Sequence, residues 1–204
     1  MLFRSSADVW ASFDVGDARV LKRREPPTSE GWVLAAFSIP ESSRSTRYRL
    51  RSRLARVGFA QVAGGLWIAP ESLEADVRHI VDSVKVHDYV DVFRATHVGF
   101  GQTTAAVQSW WDLDAISAGY RQFVTAYEHV NQQYIDRQSH APAGAFAEYT
   151  RVLTAWRPLP YSDPGLPRRY LPREWAGDAA TELFYRIHDA LFEPALAHVR
   201  SSAQ

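Results

Sequence analysis

The stretch Trp32–Pro70 leaves this chain few ways to fold. It opens with an unbroken apolar run from Trp32 to Phe37, continued at Ile39, which is the pattern of a strand buried on both faces rather than one washed by water. Pro40 ends that strand, and Glu41, Ser42 and Ser43 offer helix N-caps. From Arg44 onward, Thr46, Leu50, Leu54 and Val57 fall at spacings of four, four and three, which predicts a helix with one buried stripe. Gly58 suits the end of that helix. Phe59–Val62, the Gly64-Gly65 pair and Leu66–Ile68 then predict a β-hairpin. Strand, helix and hairpin make up most of a split βαβ unit.

The second half of that unit follows at once. Pro70-Glu71-Ser72 restarts a helix whose stripe is Leu73, Val77, Ile80, Val81 and Val84. Val86–Phe93 carries β-branched and aromatic residues in near alternation and predicts a last strand, with Thr96–Thr104 as the exit loop. The order from Trp32 to Thr96 is therefore βαββαβ, a ferredoxin-like sheet with both helices on one face. From Trp110 the pattern turns helical. Helices are expected over Ala115–Ile135, Ala143–Trp156 and Gly177–Arg200, the last with Ala180, Leu183, Phe184, Ile187, Leu191, Leu196 and Val199 inward and a kink at Pro194. Between them the proline-rich connector Arg157–Pro167 reads as a stiff loop whose interleaved Leu, Tyr and Trp are packed. The fold class is thus α+β: a segment and linker over 1–31, a ferredoxin-like βαββαβ domain over 32–98, and a helical C-terminal domain over 99–204. In the first segment, Lys22, Arg23 and Arg24 read as a solvated linker or as a small basic patch.

Composition excludes several function classes. Lys and Arg number 23 against 23 Asp and Glu, so no whole-chain field draws the protein to nucleic acid or membrane, and any such contact needs a local patch. The chain has no cysteine, which removes disulfides, thiol chemistry and cysteine-ligated metals. The first residues carry scattered charges without the apolar core of a signal peptide, and no stretch has the apolar length of a membrane span. A cytoplasmic protein with no membrane partner is expected.

Several short motifs in order carry a family resemblance. FSIPE (37–41) followed by an arginine-rich helix, GF (58–59), GLWIAP (65–70), WDL (111–113), DPGLP (163–167), LP (171–172) and W-x-G (175–177) together resemble the PaaX family of transcriptional repressors, from Trp32 to about Val199. The resemblance implies a ferredoxin-like middle domain, a helical C-terminal domain and relief from operator DNA by an aryl-CoA thioester such as phenylacetyl-CoA or another acyl-CoA. The ferredoxin-like sheet, whose edge strands and open face pair readily, gives the expectation of a homodimer. It also implies an N-terminal winged helix-turn-helix. The residues before Trp32 are too few for one, so the chain is expected to lack that DNA reader. No catalytic residue, metal or resident cofactor is expected.

The candidate site residues are cationic and aromatic. Arg44, Arg47 and Arg51 share one side of the first helix, and Arg49, Arg53 and Arg56 the other. A strip of guanidinium groups suits phosphates, of a DNA backbone or of a CoA nucleotide. The alternative is a solvated face whose arginines lie over the core and pair with Glu41, Asp76 or Asp82. For an effector, Trp111, Tyr120, Arg157 and Trp175 are the candidates, aromatic rings enclosing an aryl or adenine ring while Arg157 holds a phosphate. The alternative is a helix bundle fastened by aromatics. The middle domain also resembles the small CRISPR-associated endonuclease subunit, whose first strand ends on a metal-binding Asp. Here Phe37-Ser38-Ile39 stands at that point, and a hydroxyl poorly replaces the carboxylate that a hard divalent ion needs. A nuclease relic and a protein-interaction module without DNA binding are the two competing readings. The seven histidines form no HxH or HxxxH pair, and no P-loop, GxSxG or dinucleotide fingerprint occurs.

Overall fold

The computed structural model describes residues 20–21, 31–135 and 142–202. The expected linker, with Lys22, Arg23 and Arg24, lies outside the described residues. The chain forms two compact units: Arg24–Leu113 with Tyr161–Pro172, and Asp114–Pro160 with Arg173–Gln204 and the first residues of the chain.

The first unit is built on four strands, β1 (Trp32–Phe37), β2 (Ala60–Ala63), β3 (Leu66–Pro70) and β4 (Val90–Ala95), in the order β2-β3-β1-β4. All neighbours are antiparallel, with Leu34 opposite both Ile68 and Phe93. β1 and β2 therefore run the same way with β3 between them, the split βαβ arrangement that the strand-helix-hairpin order predicts. Helices α1 (Arg44–Arg56) and α2 (Glu74–Val84) supply the crossovers. Leu50 and Leu54 of α1 and Val77, Ile80, Val81 and Val84 of α2 share one core with Val33, Ala35, Trp67 and Ala69 of the sheet. Both helices lie on one sheet face, as expected.

Three local expectations are corrected. Glu41, Ser42 and Ser43 do not cap α1 with their side chains; they form a 3-10 turn in which Ser43 N donates to Pro40 O. The last strand begins at Val90 rather than Val86. Lys85 takes the left-handed conformation (φ 61°) and His87–Tyr89 a 3-10 turn, because the chain must reverse after α2 before Tyr89 O can receive Ser38 N at 3.0 Å. The exit loop ends early, at α3 (Thr103–Trp110).

By alternation, Trp32 and Leu34 point to the face opposite Val33 and Ala35. There the Trp32 ring meets Trp110 edge-on at 5.7 Å, stacks on Trp111 at 6.0 Å and touches Tyr170 at 5.8 Å. Tyr170 comes from the proline-rich segment, which is not all loop: Pro158–Ser162 is a short helix and Arg168–Tyr170 a 3-10 turn. Within it Gly165 N donates to Asp163 Oδ1 at 2.7 Å and Gly165 has φ 71°, an Asx turn that buries Pro164 and Leu166.

The second unit is helical: α4 (Leu113–Ile135), α5 (Pro142–Trp156) and, after the short α6 (Pro158–Ser162) at the boundary, α7 (Gly177–Ser202). α5 and α7 pack along each other, with Trp156 stacked on Phe184 at 4.5 Å and 9° and its Nε1 donating to Val20 O at 3.0 Å. α7 continues through Pro194, and its inward stripe ends on Ala195; Val199, expected inward, is exposed. Ser117, 1% exposed, is a polar joint: its Oγ donates to Glu174 O and accepts from Ala176 N and Arg121 Nη1.

Candidate functional site

Burial of Leu50 and Leu54 turns the opposite side of α1 to solvent. There Glu41, Arg44, Arg47, Tyr48, Arg51 and Ser52 line one open groove of about 740 Å³, a size suited to a small molecule. The three arginines placed together by spacing thus line one open groove together, while Arg49, Arg53 and Arg56 lie outside its lining. Arg53 donates to Ser83 Oγ, and Arg56 lies 5.9 Å over the Tyr161 ring.

Two groove arginines are pre-oriented. Arg47 pairs with Glu41, and Arg51 Nη2 donates to Gln61 Oε1 at 2.8 Å. Each guanidinium has five N–H donors, so these anchors fix the planes and leave donors over. Arg44 has no ion pair or hydrogen bond among the described residues. Three guanidiniums against one carboxylate leave the groove with an excess of cation, the chemistry that suits an anionic ligand. Tyr48, which the sequence analysis does not single out, stands among them and is 73% exposed. Its signal was there to read: a large aromatic at a helical position away from the apolar stripe.

The effector candidates are not one cluster. Tyr120 and Trp175 meet edge-on at 5.6 Å in the helical unit, both buried, with Tyr120 also touching Trp156. Arg157, at the end of α5, is exposed. Trp111 belongs to the sheet unit, where it is 7% exposed and its Nε1 donates to Gly58 O at 3.0 Å. Each buried ring has neighbours enough to be packing. In the helical unit Tyr149 Oη lies 2.8 Å from His188 Nδ1. Burial pushes that tyrosine up to about 12 and pushes the histidine below its ordinary value, against the opposing charge of Asp189. Among the described residues no group of three or more His, Asp and Glu could hold a metal ion, and Ser38 is exposed at the end of β1.

Comparison with known proteins agrees with this architecture. A family model described as the PaaX protein central Cas2-like domain matches residues 25–107, and one described as the PaaX-like protein C-terminal domain matches 111–201. A solved structure of an uncharacterized protein from Mycobacterium tuberculosis shares the fold at a TM-score of 0.63 and 19% identity, over 94% of this chain and 73% of that one. The transcriptional repressor PaaX of Escherichia coli strain K12 is 24% identical over 192 residues, 92% of this chain, and the chain spans 60% of that relative's length. The two family models lie in this order along the chain and together cover most of it. The chain belongs to the PaaX family.

Proposed function

We propose that this chain is the effector-binding and dimerising portion of a PaaX-like repressor of a catabolic pathway, acting in the cytoplasm and answering to an aryl-CoA such as phenylacetyl-CoA or another acyl-CoA. The observation that carries the reading is the groove lined by Arg44, Arg47 and Arg51 in the domain matched by the central family model. A CoA thioester brings phosphates to such a site, and so does the backbone of operator DNA. Family membership supports a regulator rather than an enzyme, and no step of catalysis is assigned to any residue. For the homodimer, β4 is an edge strand with β1 on one side only among the described residues, and Phe93 is exposed on the sheet face, features that favour pairing between copies. Among the described residues no helix is long and apolar enough to cross a membrane.

The test is thermal unfolding of the chain with phenylacetyl-CoA, with free CoA as control. A ligand that binds only the folded state, at a hundredfold excess over its Kd, stabilises by about 2.7 kcal/mol. A shift with the thioester supports the effector reading. No shift with either sinks phenylacetyl-CoA as the effector. A second reading, a protein-interaction module without DNA binding, is favoured by the loop after β4, where Val98 is 90% exposed and Phe100 fully so. It predicts complex formation with another chain and no affinity for DNA.

A further inference from the structure

We propose that the α1 groove is a nucleotide site in which Tyr48 stacks on the base while Arg44, Arg47 and Arg51 hold two phosphate groups. This rests on the phosphate-binding reading of the arginines and goes further by naming the ligand class and a base-binding residue.

Four observations carry it. First, the groove is open to solvent and of small-molecule size, about 740 Å³, its lining drawn from the single stretch between Glu41 and Ser52. Second, Tyr48 lines that groove 73% exposed, and no ring or guanidinium covers it among the described residues. A tyrosine placed so presents an open π-face, and every nucleobase has a face to match. Third, helical spacing sets Arg44 and Arg51 four before and three after Tyr48, so both reach the same side as the ring. Arg44 is unpartnered among the described residues and Arg51 is held by Gln61 at 2.8 Å, which gives one adaptable and one fixed clamp. Fourth, the lining charges are three guanidiniums and Glu41, which pairs with Arg47. The excess of cation calls for more than one anionic group, which a bare base or a single carboxylate does not supply.

Duplex DNA fits these features poorly, because its base faces are stacked and unavailable to Tyr48. Inorganic phosphate leaves the ring unused. A nucleoside carrying two phosphates uses both, and it comes either as a free nucleotide or as the nucleotide end of a larger ester such as CoA.

The experiment is calorimetric titration of the full chain with adenosine 3′,5′-bisphosphate, with pyrophosphate and adenosine as part-ligands, for wild type, Tyr48→Ala, Tyr48→Phe, Arg44→Gln and, on the other face of α1, Arg49→Gln. The bisphosphate is expected to bind wild type about tenfold more tightly than pyrophosphate, and Tyr48→Ala to remove that advantage. Tyr48→Phe and Arg49→Gln should retain it, and Arg44→Gln should weaken both phosphate ligands. Tyr48 is exposed, so its variants keep the core, and their unfolding midpoints check this. Equal binding of bisphosphate and pyrophosphate by wild type, or Tyr48→Ala binding like wild type, overturns the proposal. So does displacement of the bisphosphate by duplex DNA at lower concentration than by CoA. Displacement by CoA that is lost in Tyr48→Ala identifies the ester's nucleotide end as the occupant; Tyr48-dependent bisphosphate binding without CoA displacement identifies a free nucleotide. The two proposals separate cleanly. Stabilisation by phenylacetyl-CoA that is unchanged in Tyr48→Ala, with bisphosphate binding unchanged in that variant as well, leaves the effector reading standing and sinks this one. Tyr48-dependent nucleotide binding with no thioester shift does the reverse.

Discussion

Trp32 and Trp111 stack at 6.0 Å with their planes 22° apart, and the Trp111 indole also donates from Nε1 to Gly58 O at 3.0 Å. One ring contact thus ties the first strand of the sheet to the segment after α3, and one hydrogen bond satisfies the carbonyl of a glycine held at φ 95°. Trp111→Phe keeps an aromatic ring but leaves that buried carbonyl without its donor, for an expected loss of about 1–3 kcal/mol. Trp32→Ala removes the centre of the cluster, for about 3–5 kcal/mol. Denaturant titration at neutral pH reads both, and equal losses from the two variants would contradict the separate roles of the two rings.

The Tyr149–His188 pair makes stability pH-dependent at both ends. Burial holds His188 below its ordinary 6.5, so the unfolded chain takes up that proton first; the pair's contribution is complete above pH 6.5 and falls as the pH drops below it. Tyr149 is pushed from 10.0 up to about 12, so its contribution is complete below pH 10 and is lost as the pH rises towards 12. His188→Asn, which keeps a short hydrogen-bonding side chain, should flatten the fall in unfolding midpoint between pH 7 and 5. Tyr149→Phe should flatten the alkaline limb instead. A variant that leaves its own limb unchanged refutes the assignment.

Glu74 accepts from Arg94 Nε at 2.5 Å and Arg78 Nε at 3.0 Å, and the Arg94 bond chiefly, then Arg78, holds its carboxyl below the ordinary 4.5. A depressed carboxylate stabilises the fold fully above pH 4.5 and ceases to do so as the pH falls through its lowered value. Glu74→Gln should therefore lower the unfolding midpoint at pH 7 and converge on wild type in acid, with the difference shrinking in high salt. A difference independent of pH would rule the ion pairs out as its source.

Gly64 and Gly65 share the hairpin turn but not the same constraint. A Cβ on Gly65 would stand 2.2 Å from Phe37 O, on backbone that cannot step aside, whereas nothing lies within 4 Å of one on Gly64. Phe37 N also donates to Gly65 O at 2.8 Å, so a displaced Gly65 disturbs β1 itself. Gly65→Ala is expected to destabilise by about 1–3 kcal/mol and Gly64→Ala to stay within about 0.5 kcal/mol. Thermal melts of the two single variants compare them directly, and equal midpoints would refute the difference.

Three of the motifs that carry the family resemblance are backbone devices. Gly58 ends α1 at positive φ with Phe59 N donating to Leu54 O at 3.0 Å. The DPGLP stretch is the Asx turn of Asp163 and Gly165. In W-x-G the Trp175 indole lies so close over Gly177 that a Cβ there would meet Nε1 at 2.3 Å. A reader of sequence sees such positions because each demands one residue type. The short helix α3 was invisible for the converse reason: of its eight residues only Val107 is buried, and one buried side chain makes no period.

The sequence by itself determined the βαββαβ order of the first unit, the stripes of α1 and α2 and most of that of α7, and the grouping of Arg44, Arg47 and Arg51, because each follows from spacing along one element and needs no knowledge of what packs against it. Tertiary structure alone decided that Trp32 would meet Trp111 and Tyr170, that Tyr120 and Trp175 would be core rings in one unit while Trp111 served another, and that Tyr48 would line the same open groove as the arginines. Those are facts about neighbours distant in sequence, and periodicity, which reports only which side of an element is apolar, carries no information about the surface that side or its opposite will meet.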